Sequence, residues 1–314
     1  MMDFATLPRR WGRLGIGFLA LALTVTGCDA FIDQDLDDSD PQSPTVAGYV
    51  QEVSALSSLE GAVAEAGLVG TLEDGGPFTV FAPTNDAFSP AIDPSLNQQV
   101  VEKVVRHHVI DEEVTSDDLS DGDMKTPLAG DALTFGVEDD VLSTVNRATV
   151  TNDGASASNG VVHVVDNLLI DALDRATLTP RFTIFARLVK EADQEGVFRG
   201  AGANDGRTIF APTDEALLTA LDSDGSGEIE SDEIPSDADD ILQYHVLDSV
   251  FFAEDAPTSE TTVETLEGSD VTVVRDEESG SVTINPGDEN AAVTTADVEV
   301  DNGVIHGINA VLTP

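Results

Sequence analysis

Cysteine occurs once in 314 residues, at Cys28, so no disulfide can form within the chain. Cationic side chains are almost as scarce. Fourteen Lys and Arg stand against 60 Asp and Glu, a formal net charge of −46, and only Lys103, Lys125 and Lys190 are lysines. A surface this acidic repels phosphate, which argues against nucleic acid as a partner. It also repels itself, so the composition predicts a halophilic protein that works at high ionic strength, where the repulsion is screened. The HExxH pattern, the P-loop, the nucleophile elbow and paired zinc cysteines are all missing, and with them the motifs that would suggest an enzyme.

What is present begins with a leader. Arg9, Arg10 and Arg13 precede an apolar run from Leu14 to Thr24, too short for a bilayer span and suited to a signal peptide over residues 1–27. Val25-Thr26-Gly27-Cys28 resembles the bacterial lipobox, and that resemblance implies cleavage before Cys28 and acylation of it. Several acyl chains anchor stably where one does not. The expectation is a membrane-anchored envelope lipoprotein, at the outer membrane or cell surface rather than the inner membrane. Residues 28–44 are rich in Asp, Ser and Pro and read as an acidic flexible tether.

The remainder is duplicated. Thr79-Val-Phe-Ala-Pro-Thr-Asn-Asp-Ala-Phe88 returns as Thr208-Ile-Phe-Ala-Pro-Thr-Asp-Glu-Ala-Leu217, and Phe81 to Phe210 is 129 positions. Each copy reads as a strand that ends at Pro83 or Pro212, because proline lacks the amide a ladder needs. A helix capped by Thr84 or Thr213 is expected next, its first turn carrying Asp86 or Asp214-Glu215. Helical spacing precedes each copy: Val46 to Val53 and Leu59 to Ala66, with Ser57-Ser58 as caps and Gly67 as a stop, then a helix starting at Thr179-Pro180. Alternating stretches follow, each closed by an Asn-Gly hairpin signal, Asn159-Gly160 and Asn302-Gly303. The chain ends soon after the second, so no C-terminal anchor or extra domain is expected.

The order Thr-Val/Ile-Phe-Ala-Pro-Thr, a helix ending in Tyr244-His245, then Asn-Gly-Val-Val/Ile-His resembles fasciclin-type domains. The resemblance covers about residues 45–314, as domain 1 (45–174) and domain 2 (175–314). It implies an α+β fold in which each domain is a β-sandwich-like wedge with flanking helices. It also implies non-enzymatic adhesion to matrix, polysaccharide or a surface protein, with Tyr244 and His245 as candidate binding residues. Repeat one departs from the pattern, with His107-His108 in place of Tyr-His. His108 matches His245, and His163 matches His306; their apolar surroundings predict hydrogen-bonded core histidines. A second functional reading is a periplasmic carrier or receptor for a small hydrophobic ligand.

The second repeat has eight more residues between its phenylalanine and histidine, since Phe210 to His245 is 35 and Phe81 to His108 is 27. The insertion contains residues 222–233, which fit the twelve-residue EF-hand loop. Side-chain oxygens fall at Asp222, Asp224, Ser226, Glu230 and Glu233; Gly227 occupies the sharp turn, Glu228 offers its carbonyl and Ile229 the apolar anchor. Calcium is therefore the expected cofactor. Pro235 should interrupt an ordinary exit helix, so the loop reads as a single structural site.

Overall fold

The structure, a computed structural model, describes residues 43–89, 91–200, 206–285 and 290–314. The leader, Cys28 and nearly all of the tether lie outside them, and the described residues belong to one compact unit.

Repeat one opens with α1 (Val46–Glu52), α2 (Ser57–Glu65) and α3 (Val69–Asp74), then β1 (Phe78–Pro83), α4 (Gln98–His107) and β2 (Val109–Ile110). The strands β3 (Met124–Lys125), β4 (Leu133–Glu138), β5 (Val141–Val145), β6 (Ala148–Ala157) and β7 (Gly160–Val165) complete it. Repeat two copies the order. It has α5 (Ala172–Leu178), α6 (Thr183–Glu191), α7 (Glu195–Arg199), β8 (Arg207–Pro212), α8 (Asp214–Leu221), α9 (Ala238–Tyr244) and β9 (Val246–Leu247). Its remaining strands are β10 (Thr261–Glu264), β11 (Asp270–Arg275), β12 (Val282–Ile284), β13 (Ala291–Val300) and β14 (Gly303–Ile308).

Each repeat forms a seven-stranded sheet, β2-β1-β7-β6-β5-β4-β3 and β10-β11-β12-β13-β14-β8-β9. All pairings are antiparallel except β1 with β7 and β8 with β14. The signature strands thus lie one in from an edge, paired on both sides and buried on both faces, and they end on Pro83 and Pro212 as the missing amide requires. Alternation sends their side chains into two cores. Val80 and Ala82 face the helices, in an apolar cluster that runs continuously through both repeats. Phe81 faces the other way, into a second core enclosed by the curled sheet with Phe135, Leu142 and Val145. Phe210 does the same in repeat two, with Val271, Val273 and Ile284. The wedge with flanking helices is the architecture observed.

Three local expectations are revised. Thr213 accepts the Ala216 amide at 3.3 Å and caps α8, but Thr84 makes no side-chain cap and precedes only a short 3-10 turn, Asn85–Phe88. Ser57-Ser58 do not cap α2 themselves. Asn85 does so from the signature, accepting the Ser58 amide at 2.9 Å and donating to Ser54 O at 3.0 Å. Asp214 repeats the device on α6, taking the Ile184 amide at 2.9 Å and the Thr183 hydroxyl at 2.7 Å. Thr179 ends α5 rather than starting the next helix, because its hydroxyl donates back to Arg175 O at 2.8 Å.

The hairpin signals also mean something other than a glycine turn. The two-residue loops are Ser158-Asn159 and Asp301-Asn302, since Ala157 pairs with Gly160 and Val300 with Gly303. Asn159 accepts the Val46 amide at 2.8 Å and donates to Leu72 O and Gly75 O, stapling α1 and α3 to the sheet. Asn302 accepts the Ala172 amide at 2.9 Å and donates to Phe198 O and Gly200 O, doing the same for α5 and α7. By this correspondence α5 is the first helix of repeat two. The second repeat starts at its cap, Asp171, and a boundary at 174/175 falls inside that helix.

Candidate functional site

The inserted loop leaves α8 at Leu221 and begins at once with Asp222, the first ligand position. Gly225 and Gly227 adopt φ of +75° and +83°, the left-handed backbone that lets the chain fold back on Asp222. One oxygen of Asp222 accepts the amides of Gly225 (2.7 Å) and Ser226 (3.1 Å), and the other accepts Gly227 (2.9 Å). Glu233 returns to the same spot, held by the Ser223 amide at 2.7 Å and the Glu230 amide at 3.1 Å. Ile229 is 2% exposed and anchors the loop in the helical core. Arg187 holds the Ile229 carbonyl at 2.9 Å. No helix leaves the loop directly; α9 starts only at Ala238, beyond Pro235.

These contacts bring carboxylate oxygens of Asp222, Asp224 and Glu233 within 4.8 Å of one another. Backbone N–H groups, foremost that of Gly227, hold the Asp222 carboxyl below its ordinary range, and the Glu230 N–H does so for Glu233. Three ionised carboxylates so close repel unless a cation shares them. An all-oxygen set on a flexible loop matches a hard divalent ion such as calcium. The other expected ligands stand apart. The Ser226 hydroxyl donates to the Glu228 carbonyl at 3.0 Å, so these two ligand atoms engage each other, and the Glu230 carboxylate is not among the clustered three.

Tyr244 and His245 are interior, 4% and 1% exposed. The Tyr244 hydroxyl donates to Asp270 O at 3.0 Å, and neither residue offers a surface to a partner in this conformation. His245 Nδ1 bonds Ile241 O at 2.8 Å while Nε2 accepts the Leu312 amide at 3.0 Å. His108 repeats both contacts, with Val104 O at 2.7 Å and the Leu169 amide at 2.9 Å. Each ring therefore ties the end of a helix to the segment that follows the last strand. Burial pushes both imidazoles down to about 4. His163 and His306 stack on Phe81 and Phe210, at 5.4 and 5.9 Å, and bond Val114 O and Phe251 O. Four histidines are thus core residues. Cys28, the expected lipidation site, lies outside the described residues.

His107, the departure from the repeat pattern, crosses the seam between the repeats. Its Nε2 lies 3.1 Å from an Asp301 carboxylate oxygen and its Nδ1 2.9 Å from Ala129 O. Two acceptors call for two ring protons. Burial opposes the charge, but Asp301 and the Ala129 carbonyl outweigh it and raise the pKa. Asn146 donates to the second Asp301 oxygen at 2.9 Å. Beside this pair, Lys103 contacts Asp171 (3.1 Å) and Asp174 (2.7 Å), and Arg199 bonds both acids as well. Desolvation, then the neighbouring Asp174 charge, raises Asp171. Asp174 is desolvated too, yet Arg199 and Lys103 carry it down. Nothing in the sequence placed residues 103, 107, 171, 199 and 301 together; the mismatch of His107 with Tyr244 was the one signal.

A family model described as the fasciclin domain matches residues 54–171 and 180–314. Protein sll1483 of Synechocystis is 38% identical over 50% of this chain and 89% of its own. Human periostin is 28% identical over 77% of this chain, a match that spans only 29% of periostin. The cell surface glycolipoprotein MPB83 of Mycobacterium bovis is 29% identical over 46% of this chain and 70% of its own. A solved pair of FAS1 domains from the insect cell adhesion molecule fasciclin I covers 83% of this chain and 97% of that one, with a TM-score of 0.40 and 18% identity. Matched over both repeats, with the signature strand in the same place in both sheets, the chain belongs to the fasciclin domain family and carries two such domains in tandem.

Proposed function

We propose that this protein is a non-enzymatic adhesion module of the cell envelope, anchored through lipid on Cys28 and structured in its second domain by one calcium ion. The observation that carries the reading is the pair of fasciclin domains. Relatives include a cell surface glycolipoprotein. Among the described residues no helix is long and apolar enough to cross a membrane; in this reading the anchor is the set of acyl chains on Cys28. The partner is a matrix component, polysaccharide or surface protein, met at an ionic strength that screens the net charge. A strain lacking the gene should lose attachment to its surface, and a strain carrying Cys28→Ser should shed the protein. Unchanged attachment in the deletion strain would remove the adhesion reading.

The calcium site has its own test. An ion bound only by the folded state, at a hundredfold excess over its Kd, adds about 2.7 kcal/mol. The melting temperature should therefore rise on the order of 5 °C, and Asp222→Ala should abolish the rise. Identical melting in calcium and in chelator would show that the loop binds no ion. The carrier reading has less support. The apolar cavities beneath the helices hold about 40 and 10 Å³, far below the roughly 300–1,000 Å³ of small-molecule sites.

A further inference from the structure

The seam between the repeats encloses a cavity of about 500 Å³, within the roughly 300–1,000 Å³ range of small-molecule sites. We propose that it binds a small hydroxylated carboxylate of the sugar-acid class, whose carboxylate is taken by the Lys103 ammonium and the Arg199 guanidinium.

Charge singles this cavity out. Lys103, Arg147, Arg199 and His107 line it opposite Asp131, Asp171, Asp174 and Asp301, so basic side chains are interleaved with the acids. A second polar cavity is lined by Glu113, Asp117, Asp140 and Asp153 without a cation. In a chain of net charge −46, the seam is a concavity where an anion meets cations set among the acids.

Hydrogen-bond capacity gives the ligand its chemistry. The inner carboxylates are already served. Asp171 takes the Asp174 amide, Lys103 and Arg199; Asp174 takes Lys103 and Arg199; Asp301 takes His107 and Asn146. The donors are not exhausted. An ammonium has three N–H groups and a guanidinium five, of which these contacts engage two on Lys103 and two on Arg199. Both side chains stay open to the cavity, 40% and 33% exposed. The N–H groups left over on Lys103 and Arg199 call for a further acceptor, and a carboxylate supplies one in the geometry a guanidinium prefers. Hydroxyls suit the remaining lone pairs of Asp131 and Asp301. No Phe, Tyr or Trp side chain lines the walls, which disfavours a flat apolar ligand.

Titration calorimetry on the full chain at constant ionic strength tests this with D-gluconate and its uncharged counterpart D-sorbitol. Gluconate should bind saturably at one site, and sorbitol at least tenfold more weakly. Arg199→Gln should weaken gluconate at least tenfold. That change also removes contacts that hold α5, so Ala132→Trp is the second variant. It fills the cavity from its rim, leaves every charge in place, and should weaken gluconate equally at an unchanged melting temperature. No saturable gluconate binding, equal binding of the two probes, or undiminished binding by Ala132→Trp would each overturn the proposal. The measurement is blind to attachment and to calcium, so its failure is separable from theirs.

Discussion

Gly303→Ala will prevent the second domain from folding, and Gly160→Ala will do the same to the first. Both glycines hold φ of +147°, a region that L side chains rarely enter. Strain is the smaller part of the cost. A Cβ on Gly303 would sit 1.9 Å from the carbonyl oxygen of Arg207 and 2.8 Å from its carbonyl carbon; on Gly160 it would meet Phe78 at the same distances. These are backbone atoms on the neighbouring parallel strand and cannot rotate away. The strand must shift, and the register from Gly303–Arg207 to Ile308–Pro212 goes with it. The staple made by the adjacent Asn302 is lost as well. The expected loss exceeds about 4 kcal/mol, at the extreme of single substitutions. Gly225→Ala is the control. Its φ is +75° with nothing within 4 Å, so it costs only the backbone term of about 1 kcal/mol. Thermal melting by circular dichroism distinguishes them. A cooperative Gly303→Ala transition near that of the parent would contradict the packing described.

The second large effect is acid sensitivity between pH 6.5 and 4. His108 and His245 are neutral in the fold, with Nε2 accepting a backbone amide. A proton on that nitrogen would face an N–H donor and carry its charge into the core. Burial lowers both from 6.5 to about 4. In the interval the unfolded chain binds more protons than the folded one, so stability is full above pH 6.5 and falls as the pH drops towards 4. Each ring accounts for roughly 3 kcal/mol across the window. His107 has the opposite sign: its pKa is raised, so its contribution is present below 6.5 and lost as the pH rises through the folded value. Protonation of surface carboxylates eases self-repulsion and works against the acid loss, so the comparison belongs at molar salt. Urea titrations from pH 7 to 4.5 should show the decline. His306 is lowered by burial as well and adds to the decline; His245→Gln, which keeps one donor and one acceptor without titrating, should remove the His245 share of it. Stability that is flat or rising towards pH 4.5 in the parent would refute the assignment.

Much of the architecture was readable because duplication printed it twice. Phe81 and Phe210, the terminal prolines and the Asn-Gly pairs are local patterns whose meaning depends on backbone chemistry, so strands and their ends followed from residues alone. The EF-hand spacing was legible for the same reason: a glycine, an apolar anchor and a final glutamate at fixed offsets describe one short loop. In the structure the loop brings Asp222, Asp224 and Glu233 together, while the Ser226–Glu228 contact does not come from spacing.

The sequence by itself determined that there are two repeats of one α+β unit, that each signature strand stops at a proline, and that an oxygen-rich loop interrupts the second copy. Those are statements about neighbours along the chain, where propensity and periodicity act. Tertiary structure decided which distant groups meet. Asn85 and Asp214 cap helices about thirty residues away. Asn159 and Asn302 staple helices to sheets across more than a hundred positions. His107, unlike its repeat partner Tyr244, reaches Asp301, 194 residues on. Each is a buried or half-buried polar group whose partner is set by how the sheets and helices pack. Hydrogen bonding demands that such groups be satisfied, but only the fold determines by whom.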